Sequence, residues 1–293
     1  MIVARVFAGI GNQLFQYAAA RELGLRLGAE VRFDHATWYA RRDLRRTSRR
    51  DYLLAQLGLP VVAASPAERA APFRRNWWLQ RRLRSGWTHL WQAGGDVPVA
   101  AFQGATGDVF LEGYWQSEAF FPTFKPILAR ELLALQPDPA RNAQWLATIR
   151  APGTVVLHVR RGDYVAHAHH SPHYRVLTPD YYQAALAQIR ATTAIARAVV
   201  FSDDPAWCET ALQLGLPTEV VRRADPAGSA VDDLLCLAQA TNLIAANSTF
   251  SWWAAWIATQ RGPARVVLPA QWFDDPNFAA WSRQLQVPGW AVL

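Results

Sequence analysis

Lysine is nearly missing from this 293-residue chain, and Lys125 is the only one. Methionine occurs once, and there are two cysteines, Cys208 and Cys236. Two cysteines cannot build the disulfide framework of a small secreted domain, so both read as buried thiols. No apolar run is long enough to suggest a membrane-spanning helix. The opening MIVARVFAGIGNQ lacks a basic segment followed by a long apolar core and a small-residue cleavage site. No signal peptide is therefore expected, and the chain reads as cytoplasmic. On that reading the glycosylation sequon Asn247-Ser248-Thr249 is idle. There is no Walker phosphate loop. AGIGNQL is not a dinucleotide fingerprint, because Leu14 stands where the third glycine belongs. Internal repeats and low-complexity tracts are also missing.

The charge that is present is +7, carried almost entirely by arginine. Arginine suits bidentate contacts to phosphate, so an anionic partner is indicated: nucleic acid, a membrane, or a small phosphorylated ligand. A general arginine bias accounts for most of the composition. It does not account for VVLHVRRGDY, where a strand-like apolar run ends on a histidine, two cations and a carboxylate. Charges at the edge of a core cost free energy unless something pairs them.

The chain opens as strand IVARVF, turn AGIG, helix NQLFQYAAARELGLRLG and strand AEVRFD, the start of a parallel sheet. Residues 40–105 show clustered Arg and Trp with no clear period. DVFLE reads as a strand, and ILARELLALQP and RNAQWLATIR read as helices. From residue 154 strands and helices alternate: TVVLHVR, TPDYYQAALAQIRA, RAVVFSDD, PAWCETALQLG, TEVVR, SAVDDLLCLAQA, TNLIAANS, TFSWWAAWIATQ, ARVVLP. Ser229 and Asp232 have capping-box spacing, and Thr178-Pro179 opens a helix. The expectation is an α/β protein with an N-terminal domain at 1–150 and a doubly wound parallel domain at 151–293.

Ligands of parallel sheets bind beyond the carboxyl ends of the strands. Four polar clusters fall at such ends. They are Gly9, Gly11, Asn12 and Gln13; His158, Arg160, Arg161 and Asp163; Ser202, Asp203 and Asp204; and Asn247, Ser248 and Thr249. The last cluster precedes a helix, whose free N–H groups favour phosphate; in isolation simple N-capping is the better reading, and beside Arg160 the balance reverses. Gly9 and Gly11 permit a tight turn with close backbone approach.

GIGNQLFQYA, LEGYWQSEAFF, HVRRGDY, FSDDP and NSTFSWWAAW occur in that order. Together they resemble the bacterial α-1,2-fucosyltransferases of glycosyltransferase family 11 across nearly the whole chain outside 40–105. The resemblance implies a GT-B-like fold, with a C-terminal Rossmann-like sheet facing an N-terminal acceptor domain. It implies GDP-fucose as donor substrate, a galactose-terminated glycan as acceptor, inversion, and neither metal nor cofactor. Arg160 would take the β-phosphate. His158 and Asp233 would touch guanine. Gly11, Gln13, Ser202, Asp203, Asn247, Ser248, Thr249 and Phe250 complete the implied donor set. Tyr114, Trp115 and Gln116 would meet the acceptor, and Asn12 would orient acceptor or fucose.

The general base is expected to be Asp163, whose other reading is a salt bridge to Arg160 or Arg161; Glu112 and Glu118 are the reserves. Ala8-Gly9-Ile10-Gly11 departs from the commoner Gly-Gly-Leu-Gly of the resembled family. His167, His169, His170 and His173 read as a sugar-facing or solvated loop more readily than as a zinc site. Trp252, Trp253 and Trp256 read as core. Trp77, Trp78, Trp87 and Trp91 read as core, or as a sugar-stacking or membrane-facing surface. A nucleic-acid module resting on the basic stretch 41–91 is the competing reading. It gives no reason for Asn12, Asp203 or Asp233, so no nucleic-acid partner is expected. Peripheral contact with the inner membrane stays open.

Overall fold

The computed structural model describes residues 1–39, 51–73, 86–92, 99–166, 174–223 and 230–293. The chain divides into two compact units, Met1–Leu128 and Ala129–Leu293.

The first unit carries β1 (Ile2–Arg5), α1 (Ile10–Leu27), β2 (Val31–Asp34), α2 (Ala36–Tyr39), α3 (Pro66–Ala70), β3 (Trp87–Trp91), α4 (Val99–Gln103), β4 (Asp108–Glu112) and the start of α5 (Lys125–Leu133). The four strands pair in parallel in the order β2-β1-β4-β3. Helix α1 begins at Ile10, earlier than the amphipathic reading placed it. It is buried on nearly every side, which removes the polar stripe that normally marks a surface helix. Its C-terminus closes on Gly28 in the left-handed region, whose N–H reaches the Gly24 and Leu25 carbonyls. Tyr17 stacks on Phe33 with ring centroids 5.6 Å apart, joining α1 to β2.

The second unit runs α6 (Pro139–Arg150), β5 (Thr154–Val159), α7 (Gly162–Ala166), α8 (Pro179–Arg190), β6 (Arg197–Ser202), α9 (Pro205–Ala211), β7 (Thr218–Val220), α10 (Ala230–Leu237), β8 (Asn242–Ile244), α11 (Thr249–Arg261), β9 (Arg265–Leu268), α12 (Ala279–Gln284) and β10 (Ala291–Val292). Its sheet is parallel throughout, in the order β10-β9-β8-β5-β6-β7. Counted from β5 this is the 3-2-1-4-5-6 order of a doubly wound fold. Strands β5 and β8 are buried along their whole length, as strands covered on both faces must be.

Two α/β units with parallel sheets are the material of a GT-B-like fold. The unit boundary lies at 128/129, whereas the sequence placed the domain seam at 150/151. The physical reason is α6, which packs on β5 and α10 and belongs to the second core. Trp252, Trp253 and Trp256 are fully buried, with the Trp253 ring edge-on to both of the others. Trp87 and Trp91 sit on edge strand β3, Trp91 being exposed. Trp77, Trp78, Ser229 and the His167–His173 cluster lie outside the described residues.

Candidate active site

In the second sheet the chain turns from β5 towards β6 on one side, while β8 pairs on the other. The topological switch point is therefore between β5 and β8, and ligands of open α/β sheets bind beyond that point. The loops leaving there are HVRRGDY and ANSTF, so the fold brings together two of the sequence clusters. The third, Ser202-Asp203-Asp204, follows the neighbouring strand β6.

Asp203 organises this edge. One carboxylate oxygen accepts the Arg161 N–H at 2.9 Å, and the other lies 2.8 Å from Arg160 Nη1. Burial acts to raise the Asp203 pKa. The Arg160 guanidinium and the N–H groups of Arg161 and Gly162 outweigh it and hold the carboxyl below its ordinary range. Gly162 makes the approach feasible: a Cβ there would stand 2.9 Å from the Asp203 carboxylate oxygen and 3.1 Å from its carbon. Arg160 also lies over the Tyr164 ring at 5.7 Å. Tyr164 donates its hydroxyl to the Asn247 carbonyl at 3.0 Å and so ties the loop after β5 to the loop after β8.

Arg161 has a different task. Its guanidinium stacks 3.9 Å above the Trp207 ring and lies 3.5 Å from Asp204, which itself caps α9 by accepting the Trp207 N–H. Arg161 therefore pairs with Asp204. Asp163 is the second residue of α7, and its side chain, offered by the sequence as a partner of Arg160 or Arg161, lies outside the described residues. The Ser202 hydroxyl accepts the Asp204 N–H and so serves the same turn.

His158, the next-to-last residue of β5, packs its ring on Phe250, centroids 5.2 Å apart. Burial pushes its pKa down to about 3; the Asp203 carboxylate opposes this and the Arg160 cation adds to it. The ring is therefore neutral, and its Nδ1 is buried without a protein partner. Ser248 caps α11 by accepting the Phe250 N–H, with Thr249 and Phe250 half-buried at the helix start.

Two residues assigned to the donor are already engaged with protein groups. Asn247 is fully buried, and its amide N–H groups go to the Arg175 and Trp272 carbonyls at 2.7 and 2.9 Å. It clamps three segments. Asp233 is held by Arg223, with contacts of 2.8 and 2.6 Å. It is a paired carboxylate before any base arrives. Asp232 accepts the Asp138 N–H and pairs with Arg141 at 3.3 Å; its expected capping partner Ser229 lies outside the described residues.

The first sheet has its own switch point, between β1 and β4. Ala8, after β1, and Trp115, after β4, both adopt left-handed backbone, at φ 65° and 55°. The turn is thus made by Ala8 and not by Gly9 or Gly11, which explains why glycine is the commoner residue at Ala8 in the resembled family. An L-residue there costs about 1–2 kcal/mol. Buried glutamines offset this. Gln13, read as a donor ligand, is fully buried. It donates to the Ala8 and Asp51 carbonyls and accepts the Leu53 and Leu54 N–H groups. Gly11 is buried beside it. Gln16 accepts the Phe7 N–H at 3.0 Å and donates to the Gly113 carbonyl at 3.1 Å, joining the two loops. Gln92 accepts both the Tyr114 and the Trp115 N–H, at 3.0 and 2.8 Å.

Trp115, read as an acceptor contact, is fully buried between Phe102 and Phe120. Tyr114, Gln116 and Asn12 are half-buried. Gln116 Nε2 donates to Asn12 Oδ1 at 2.7 Å, and Tyr114 packs edge-on against Phe7. The reserve bases are engaged: Glu112 pairs with Arg5 at 2.7 Å, and Glu118 pairs with Lys125 at 2.6 Å. Tyr164 was legible as the last residue of HVRRGDY. Gln16 lies inside GIGNQLFQYA without standing out from it, and Gln92 and Arg223 carried no local signal.

The family model for glycosyl transferase family 11 matches residues 41–293. The O-antigen biosynthesis glycosyltransferase WbnK of Escherichia coli is 39% identical over 124 residues, covering 42% of this chain and 40% of WbnK. An α-1,2-colitosyltransferase of Escherichia coli is 24% identical, with 97% of this chain and 98% of that protein covered. The galactoside 2-α-L-fucosyltransferase Sec1 of Mus musculus is 25% identical over 88% of this chain and 64% of its own length. The chain thus spans less than two thirds of WbnK and Sec1. Among solved structures, the NodZ α-1,6-fucosyltransferase soaked with GDP-fucose aligns with a TM-score of 0.49 and 13% identity, over 87% of this chain and 91% of that one.

Proposed function

Because the chain belongs to glycosyl transferase family 11, we propose that it moves L-fucose from GDP-β-L-fucose to the 2-hydroxyl of a terminal galactoside, with inversion and without a metal. The observation that carries this is Arg160, a guanidinium anchored by Asp203 at the switch point of a doubly wound sheet. Breaking the bond between the fucose anomeric carbon and the β-phosphate oxygen leaves negative charge on that phosphate. A preorganised cation stabilises it without reorganising during the reaction. Ser248, Thr249 and the free N–H groups opening α11 supply further anion contacts. The neutral His158 ring and Phe250 line the same edge. On this reading the second unit holds the donor and the first holds the acceptor, Asp163 takes the proton from the acceptor hydroxyl, and Asn12 orients the acceptor.

The test is GDP release from GDP-fucose with lactose as acceptor and EDTA present, for the wild type and Arg160→Ala. Acceptor-dependent release that survives EDTA and falls by about 100-fold or more in the variant supports the reading. Loss of activity in EDTA overturns metal independence. Turnover of other sugar nucleotides but not GDP-fucose overturns the donor. A colitosyl donor is the second reading, favoured by the nearly full-length match to the α-1,2-colitosyltransferase.

A further inference from the structure

The Arg160 guanidinium meets Asp203 through Nη1 at 2.8 Å and lies over the Tyr164 ring at 5.7 Å, within cation–π reach. An ion pair through one nitrogen sets the place of a guanidinium more firmly than the tilt of its plane. A ring beneath it sets both. The hydrogen bonds that a guanidinium gives to a phosphate depend on that tilt, because its N–H groups form a flat fork. How firmly the Tyr164 ring is held therefore decides how Arg160 is aimed.

The Tyr164 hydroxyl donates to the Asn247 carbonyl at 3.0 Å. The Tyr174 ring stacks on the Tyr164 ring, with centroids 4.6 Å apart and planes 11° from parallel. Tyr174 in turn meets the Phe273 ring at 5.2 Å, and Phe273 rests against Phe278 and Trp281 at 5.3 and 6.1 Å. A series of contacts thus runs from Arg160 through Tyr164 and Tyr174 into the segment that follows β9.

The backbone behind Tyr174 is pinned as well. An antiparallel bridge pairs it with Phe273, and the Arg175 N–H donates to the Trp272 carbonyl at 3.0 Å. The buried Asn247 amide then donates to the Arg175 and Trp272 carbonyls together. All of this converges on a ring that is 41% exposed. Core packing does not call for such pinning at a side chain that leaves so much of its surface in water. Keeping a ring at a fixed angle does.

We propose that Tyr164 and Tyr174 are positioning residues for Arg160, and that the stack held by Phe273 and Asn247 fixes the plane in which the guanidinium meets an anionic oxygen. That this oxygen belongs to the β-phosphate of a departing nucleotide rests on the reaction proposed above. The hold of the stack on Arg160 does not depend on it.

The experiment has two readouts on the full chain. The first is side-chain nitrogen relaxation of the arginine Nε–H groups by NMR, with the Arg160 signal assigned by its loss in Arg160→Lys. Tyr174→Leu keeps apolar bulk and removes the ring, so it should make the Arg160 signal mobile on the ps–ns scale. Tyr174→Phe keeps the ring and should leave that signal ordered. The second readout is steady-state kinetics with GDP-fucose and lactose. Charge on the phosphate grows towards the transition state, so the aim of Arg160 counts most there. Tyr174→Leu should lower kcat by about 3- to 10-fold and change KM for GDP-fucose by less than about twofold, with Tyr174→Phe recovering most of kcat. Should Tyr174→Leu fail to fold, Phe273→Leu, which takes the brace from the Tyr174 ring, carries the same expectations. An Arg160 signal as ordered in the leucine variant as in the wild type, equal losses in the leucine and phenylalanine variants, or a raised KM with unchanged kcat overturns the proposal. Loss of Arg160 order in a protein whose wild type does not turn over GDP-fucose supports the stack and sinks the donor reading. Turnover of GDP-fucose with Arg160 order and kcat indifferent to Tyr174 does the reverse.

Discussion

His158 offers a prediction whose size follows from its surroundings. Its ring is buried against Phe250, and its pKa is pushed from 6.5 down to about 3. In the unfolded chain the imidazole regains its ordinary value. The depressed native pKa means that stability is present in full above about pH 6.5 and is lost as pH falls, because only the unfolded state takes up the proton. Between about pH 7 and pH 5 the unfolded imidazole goes from mostly neutral to almost wholly protonated, while the native ring stays neutral. Integrating that difference gives roughly 2 kcal/mol lost from this one residue. Urea unfolding at several pH values in that range measures it for the wild type and for His158→Phe, with the other histidines common to both. The wild type should lose about 2 kcal/mol more than the variant. In parallel, the imidazole NMR signal absent from the variant should stay at its neutral position to about pH 5. A midpoint near 6.5, or parallel pH dependences, refutes the reasoning.

Replacing Asp203 with Asn removes the charge that anchors Arg160. With hydrogen bonds to charged groups worth about 1.5–3 kcal/mol, kcat/KM for the donor should fall by roughly 10- to 100-fold in steady-state kinetics. Ala8→Gly should relieve about 1–2 kcal/mol of left-handed strain and give back about 0.4–1 kcal/mol to the freer unfolded chain, a net rise in unfolding free energy of roughly 0.5–1 kcal/mol, read from urea midpoints. Gln13→Leu leaves the buried Leu54 N–H and its neighbours without their acceptor and should destabilise the first unit by about 1–3 kcal/mol in the same measurement.

Much of this arrangement was legible because it is written in local pattern. The apolar runs in TVVLHVR and NLIA read as strands, and the alternation of strands with helices along the chain forecast a doubly wound sheet. Arg160 stood out because nothing in a strand end requires it. Other parts depend on contacts that join distant positions. Gln16 and Gly113 are 97 residues apart, and Gln92 meets Trp115 across a stretch with no period of its own. A glutamine in a helix looks like a surface residue until its amide is found holding a loop. Motif membership also misled where a residue supports the site from behind. Gln13, Asn247 and Trp115 sit inside the recognisable strings, yet all three are fully buried: Gln13 and Asn247 give their amides to backbone groups, and the Trp115 ring packs between Phe102 and Phe120. A pattern of residue types does not say which way each side chain turns.

The clamp made by Asn247 bears on how the protein can be produced. Its side-chain nitrogen, fully buried, already serves two carbonyls, and it is the atom that would carry a glycan in the sequon Asn247-Ser248-Thr249. A host that routes the chain through its secretory pathway attaches sugar during synthesis, before α11 and the Trp272 loop close around that nitrogen. A modified Asn247 keeps one N–H where two are used, and the attached sugar cannot fit the space the side chain must occupy. Secreted material should therefore accumulate as glycosylated, misfolded chains. Thr249→Val, which abolishes the sequon and leaves Asn247 in place, should recover folded protein from the same host, while bacterial production needs no such change.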